Sequence, residues 1–237
     1  MTNMLVPLMI LALAFAPGLL WLWYFYKRDK LEPEPLNLIR NSFLWGMAAV
    51  IPVVLIEQPF LPKNAVSASV IVAPVVEELA KFLVVWLTVY RNREFDEPMD
   101  GVVYAASTAL GFASLENVFY LFSFSNTPEE FVTVAVMRAV LSVPAHPLFS
   151  SMWGFALGFA KFSDEVTARK LIVSGLSLSM ALHAAFNLAC QSGPFWAVGM
   201  LVLVPLLWWL VNRRIKQALA ASRHITLPGD EPRNTDV

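Results

Sequence analysis

The chain has 237 residues, 57% hydrophobic and 15% charged, with a mean hydropathy of +0.60. A soluble domain carries about 25% charged residues, so this composition excludes one; repeated apolar runs of about 20 residues indicate an all-α, polytopic membrane bundle, and the short alternating segments of a β-barrel are absent. A net charge of −1 argues against a nucleic-acid partner, and a single cysteine, Cys190, rules out an internal disulfide.

Seven spans are expected, at about 4–26, 38–57, 66–90, 101–124, 131–160, 171–190 and 195–212. The first is followed, not preceded, by Lys27, Arg28 and Lys30, so it reads as a retained anchor, not a signal peptide. The third carries Glu77, Glu78 and Lys81, and the fourth carries Glu116 and Asn117. The fifth holds Arg138 and the run Pro144-Ala145-His146-Pro147, and the sixth holds His183 and Asn187. Short polar connections join the spans, and no internal repeat is evident. Residues 1–212 are therefore expected to form one membrane-embedded domain. Residues 213–237, with Pro228, Gly229 and Pro232, read as a disordered polar tail in which His224 is solvated. Lysine and arginine fall in alternate connections: Lys27, Arg28, Lys30 and Arg40, then Arg91 and Arg93, then Lys161, Arg169 and Lys170, then Arg213, Arg214, Lys216 and Arg223. The opposite connections hold only Lys63, which places the N-terminus outside and the C-terminus in the cytoplasm.

Ionised groups at membrane depth cost roughly 2.5–3.5 kcal/mol each on insertion scales, so the default reading of such residues is a functional site. Counting 1.5 Å per residue from each cytoplasmic end puts Glu77 at about 20 Å, Glu116 at about 22 Å, His146 at about 21 Å and His183 at about 18 Å. Four spans thus bring ionisable groups to one level, slightly outside the midplane of a ~30 Å core. One shared, water-containing site follows.

Glu77 and Glu78 point about 100° apart on a helix, and Lys81 can reach either. A buried ion pair that only fixes the rotation of the helix is the bland reading. A division of labour is the functional one, with one glutamate held by Lys81 and the other free to handle a proton. Pro74 is expected to kink or restart the third span, and Pro144 and Pro147 to break the fifth. His183 and Asn187 share a helix face and supply donors suited to a developing oxyanion. Arg138, nearer the outer end than His146 and able to snorkel, is read as a structural counter-charge or substrate contact. Ser150, Gly154 and Gly158 form a small-residue stripe that reads as close helix packing. Zinc on Glu77, His146 and His183 is an alternative, although no His-Glu-x-x-His helix is present and Lys81 puts a cation where a ligand would stand.

Taken together, Glu77-Glu78-x-x-Lys81, Phe112-x-x-x-Glu116-Asn117, His146 and His183-x-x-x-Asn187 resemble the PrsW family of bacterial intramembrane proteases. More distantly they resemble the CAAX prenyl protease and bacteriocin-processing superfamily, from which Glu116 departs by standing where that branch has histidine. The Asp29 to Pro35 connection and Asp100-Gly101 look like the PrsW family too, so the likeness covers roughly residues 20–190. It implies a multi-pass plasma-membrane endopeptidase acting in the bilayer on a single-pass membrane protein, the family's substrate class being an anti-sigma factor. On the residues themselves, a glutamic-type mechanism with water activated without a metal cofactor is preferred, and the resemblance implies a glutamate as the activator. Glu77 would activate water with Glu78 in support, and His146, His183 and Asn187 would position water and hold the oxyanion. Lys81, Asn117 and Arg138 would support them, with Glu116 binding water or orienting another group. A proton-coupled transporter, a non-catalytic scaffold and a zinc protease are the competing readings.

Overall fold

The structure, a computed structural model, describes residues 5–60 and 65–222. Within them the chain forms seven helical segments: α1 (Leu5–Tyr26), α2 (Leu36–Glu57), α3 (65–88), α4 (Pro98–Ser123), α5 (Pro128–Ala160), α6 (Glu165–Cys190) and α7 (Gly193–Ser222). Six are long and apolar enough to cross a membrane. The exception is α3, the helix that carries Glu77, Glu78 and Lys81. The chain is thus an all-α membrane bundle, as its apolar runs lead one to expect.

Helix starts follow from local chemistry. Glu97 caps α4, Pro98 takes the first helical position where no N–H is needed, and Glu97 and Asp100 exchange bonds with each other's backbone in a capping box. Pro128 opens α5 in the same way. At α6 the Asp164 carboxylate accepts the N–H groups of Val166 and Thr167 at 3.0 and 3.1 Å.

The bundle is built around α4, which is buried along most of its length and packs against α1, α2, α5 and α7. Without a hydrophobic driving force between helices in lipid, close packing of small residues holds them together. A Cβ on Gly46 of α2 would lie 2.0 Å from the Thr108 carbonyl oxygen of α4, and one on Gly111 would lie 1.9 Å from that of Phe43. On the other side Gly154 and Gly158 of α5 lie against Gly101 and Pro98, so this stripe packs as expected.

Both proline-bearing helices solve the same local problem in the same way. A proline clashes with the carbonyl four residues back and cannot donate to it. In α3 a π turn, Ala68–Val72, precedes Pro74; in α5 a π turn, Arg138–Ser142, precedes Pro144. The Ala73 N–H reaches back to Ala68 and the Val143 N–H to Arg138, widening each helix just ahead of its proline. The expected break in the fifth span is therefore replaced by a continuous helix with one wide turn. At the far end α7 runs through Ser222, so residues 213–222 are helical where a disordered tail was expected. Lys63, Arg223, His224 and the rest of the expected tail lie outside the described residues.

Candidate active site

A cavity of about 370 Å³ opens at the end of the bundle where α2 finishes and α3 begins. Glu57, Glu77, Glu116, Arg138, His146, His183 and Asn187 line it, contributed by five helices. Depth counting brought four of these residues to one level, and the fold brings those four to one cavity.

The polar groups form a continuous chain across the bundle. Arg138 Nη2 donates to Glu116 Oε2 at 2.6 Å, and that oxygen lies 3.2 Å from His146 Nε2. His146 Nδ1 is 3.0 Å from Lys81 Nζ. Because an ammonium can only donate, Nδ1 is the acceptor and Nε2 carries the proton toward Glu116. Lys81, fully buried, donates to Glu77 Oε2 at 3.0 Å and to Glu78 Oε1 at 2.9 Å. It also lies over the Phe112 ring, 4.4 Å from its centroid. The expectation that Lys81 holds one glutamate and leaves the other free is corrected: three donors on one nitrogen let it bridge both.

The two glutamates differ in their other partners. Glu78 has no exposed surface; its Oε2 accepts Ser150 Oγ at 2.8 Å, Ser179 Oγ at 2.9 Å and Trp153 Nε1 at 3.0 Å. Its Oε1, besides Lys81, faces His183 Nδ1 at 3.1 Å. That contact puts the His183 proton on Nδ1 and directs Nε2 away from Glu78. Phe149 stacks on the same imidazole at 4.6 Å, which fixes its plane. Glu77, by contrast, lines the cavity and is joined to Lys81 through Oε2, with His146 Nδ1 at 3.9 Å. Ser150, read from spacing as packing alone, is a ligand of Glu78 as well.

The fold also places Arg138 and Asn187. Arg138 does not snorkel. It is buried, donates also to Asn117 Oδ1 at 2.7 Å and stacks over Tyr120 at 3.9 Å, so it is the counter-charge of Glu116. Asn187 reaches the cavity but gives one amide N–H to the Ser69 carbonyl at 2.8 Å, within the π turn of α3. Sequence reading missed Ser179, Trp153 and Glu57. A serine or tryptophan on a membrane helix is ordinary, and Glu57 sits at a span end where a charge has no cost.

The chain matches the family described as "PrsW family intramembrane metalloprotease" over residues 34–210. It belongs to the PrsW family. A protease PrsW of Geobacillus kaustophilus is 36% identical over 92% of this chain and 96% of its own length. That of Bacillus subtilis is 33% identical over 88% and 95%, and that of Clostridioides difficile 28% identical over 84% and 87%. No solved structure matches the chain. As a PrsW protein it is a multi-pass bacterial membrane protease, and peptide hydrolysis takes place in the membrane.

The family description implies a metal, and the cavity offers donors for one. Atoms of Glu77, Glu116 and His146 lie within 4.8 Å of one another. Two carboxylates and an imidazole are the number and type of ligands that a catalytic zinc takes. The group brought together contains Glu116 where the sequence-based alternative had His183, whose Nδ1 instead faces Glu78. The residues fit, with Lys81 and Arg138 paired to the carboxylates of Glu77 and Glu116.

Proposed function

We propose that this PrsW protease is of the glutamic type, with Glu77 as the base that activates water, and that its substrate is a single-pass membrane protein. The supporting observation is the asymmetry of the glutamate pair. Glu78 is saturated by five donors and buried, while Glu77 faces a cavity large enough for water and a peptide bond. A water on Glu77 attacks the carbonyl carbon, its proton passing to the Glu77 carboxylate and then to the leaving amine. Lys81 orients the carboxylate, and Arg138 and Glu116 fix the His146 ring beside it. The oxyanion is met by the second amide N–H of Asn187, beside the His183 ring that Glu78 anchors through Nδ1. Residues 1–212 act as one protease domain. With the N-terminus outside, as the charge distribution favours, the cavity opens toward the outer leaflet and cleavage falls on that side.

A second reading rests on the Glu77, Glu116 and His146 group, which would hold a zinc ion. The ion would supply Lewis-acid polarisation there. In that case Lys81 and Arg138 still neutralise the excess carboxylate charge, and His183 and Asn187 keep the same task.

The deciding experiment co-expresses single-pass membrane substrates with wild type, Glu77→Gln and His183→Ala, and assays purified enzyme for metal and for inhibition by chelators. Loss of cleavage in both variants, with chelator-resistant activity, supports the glutamic reading. Stoichiometric zinc and chelator-sensitive cleavage would replace it by the second. Cleavage that persists in both variants would remove these residues from the chemistry.

A further inference from the structure

A second group of buried acids lies at the opposite end of the bundle, about 28 Å along α4 from Glu116 at 1.5 Å per residue. Asp29 belongs to the connection between α1 and α2, Glu97 caps α4, and Asp100 lies in its first turn. They are 3%, 7% and 0% exposed, and one oxygen of each lies within 4.8 Å of the others.

Each acid of α4 is anchored through one side only. Asp100 Oδ2 accepts the N–H groups of Asp96 and Glu97, both at 2.7 Å, and the Glu97 side chain accepts the Asp100 N–H in return. Asp100 Oδ1, Glu97 Oε1 and both oxygens of Asp29 are left buried without a hydrogen-bond donor among the described residues. Asp29 is the independent observation. It comes from another segment, is more than nine-tenths buried, and turns into the group a carboxylate with no well-formed hydrogen bond among the described residues, the Glu34 backbone being only nearby.

Among the described residues no cation forms an ion pair with these acids, although Lys161 lies near enough to feel the charges of Asp100 and Asp96. Glu32, Glu34 and Asp96 add negative charge, and the Tyr104 hydroxyl donates to Glu34. Ser222 of α7 is near Glu97 but carries no charge. Lys161, after α5, gives its ammonium to the Tyr90 carbonyl at 2.6 Å and lies over the Tyr90 and Phe95 rings. Burial first, then the charges of Glu97 and Glu34, push the Asp29 carboxyl up to about 7, and burial raises Glu97 as well. Unpaired buried carboxylates must take up a proton or a cation.

We propose that Asp29, Glu97 and Asp100 bind a hard divalent cation of the magnesium or calcium class, tying the α1–α2 connection to the start of α4. An all-carboxylate donor set, with neither histidine nor cysteine, selects such ions over zinc or copper. Water completes the coordination, as is usual for magnesium. The site is separate from the cavity and calls for no change in the chemistry there.

The test is thermal unfolding of the full-length protein in non-ionic detergent at pH 7.5, titrated with MgCl₂ or CaCl₂ and compared with KCl at matched ionic strength. A ligand at a hundredfold its Kd raises the Tm of a chain this size by about 5–10 °C. The expected result is a saturable rise of that order with one or both divalent ions, absent with KCl and abolished in Asp29→Asn. The rise is to persist in a Glu77→Gln, Glu116→Gln double variant, which separates it from any metal in the cavity. No rise in wild type, or the same rise in Asp29→Asn, overturns the proposal. If Asp29→Asn does not fold, Glu97→Gln takes its place with the same two outcomes.

Discussion

Glu78→Gln is expected to destabilise the bundle far more than Glu77→Gln, although the two residues are neighbours and chemically identical. Glu78 accepts five bonds, two of them on the oxygen shared by Lys81 and His183. A glutamine must turn its NH₂ toward one set of donors. Facing Ser150, Ser179 and Trp153 it loses three acceptances, and facing Lys81 and His183 it opposes an ammonium. Removing one partner of a buried charge pair costs about 3–5 kcal/mol. At about 2–4 °C per kcal/mol for a chain of this size, Tm should fall by about 6–20 °C. Glu77→Gln loses a single bond, and Lys81 keeps Glu78, so a cost of about 1–2 kcal/mol is expected. Circular dichroism on heating in detergent reads both variants. If Glu78→Gln melts within about 2 °C of wild type, or Glu77→Gln is the weaker variant, the assignment of Glu78 as the scaffold of the site is wrong.

Gly46→Ala drives a Cβ into the Thr108 carbonyl oxygen, so α2 and α4 must separate; a loss of about 1–3 kcal/mol is expected in the same melting assay, and an unchanged Tm would refute this contact. In the absence of divalent ions the protein should become less stable as pH rises from 5 to 8. Asp29 and Glu34 are raised to about 7, above their unfolded values, so the stability they contribute is present at low pH and lost as pH passes through 7. Asp29→Asn should flatten that slope, and a Tm that instead climbs over this range would contradict it.

Much of the fold was legible because membrane helices announce themselves by length and apolarity, and all seven expected spans coincide with helical segments to within a few residues at most ends. The convergence of Glu77, Glu116, His146 and His183 was legible too, since depth along a regular helix is simple arithmetic. What escaped depends on partners in other helices. Spacing along α3 shows that Lys81 can reach either glutamate but not that it reaches both. Nothing in α5 or α6 marks Ser150, Trp153 or Ser179 as donors to a carboxylate on α3, because a lone hydroxyl or indole has no periodic signature. Arg138 was read as a counter-charge, but only the fold names Glu116 on α4 as the charge it meets. The prolines of α3 and α5 pointed to breaks, but a π turn absorbs each at lower cost than an interrupted helix in lipid.

Cleavage of a fluorogenic single-pass substrate in proteoliposomes by folded Glu77→Gln, beside wild type and with its melting curve as control, is the most direct measurement. A Glu77 that activates water leads to a loss of kcat of at least about 100-fold with the fold intact, since general-base catalysis contributes 10²–10⁴. Wild-type kcat in a Glu77→Gln protein that melts like wild type would show that the cavity glutamate is not the base.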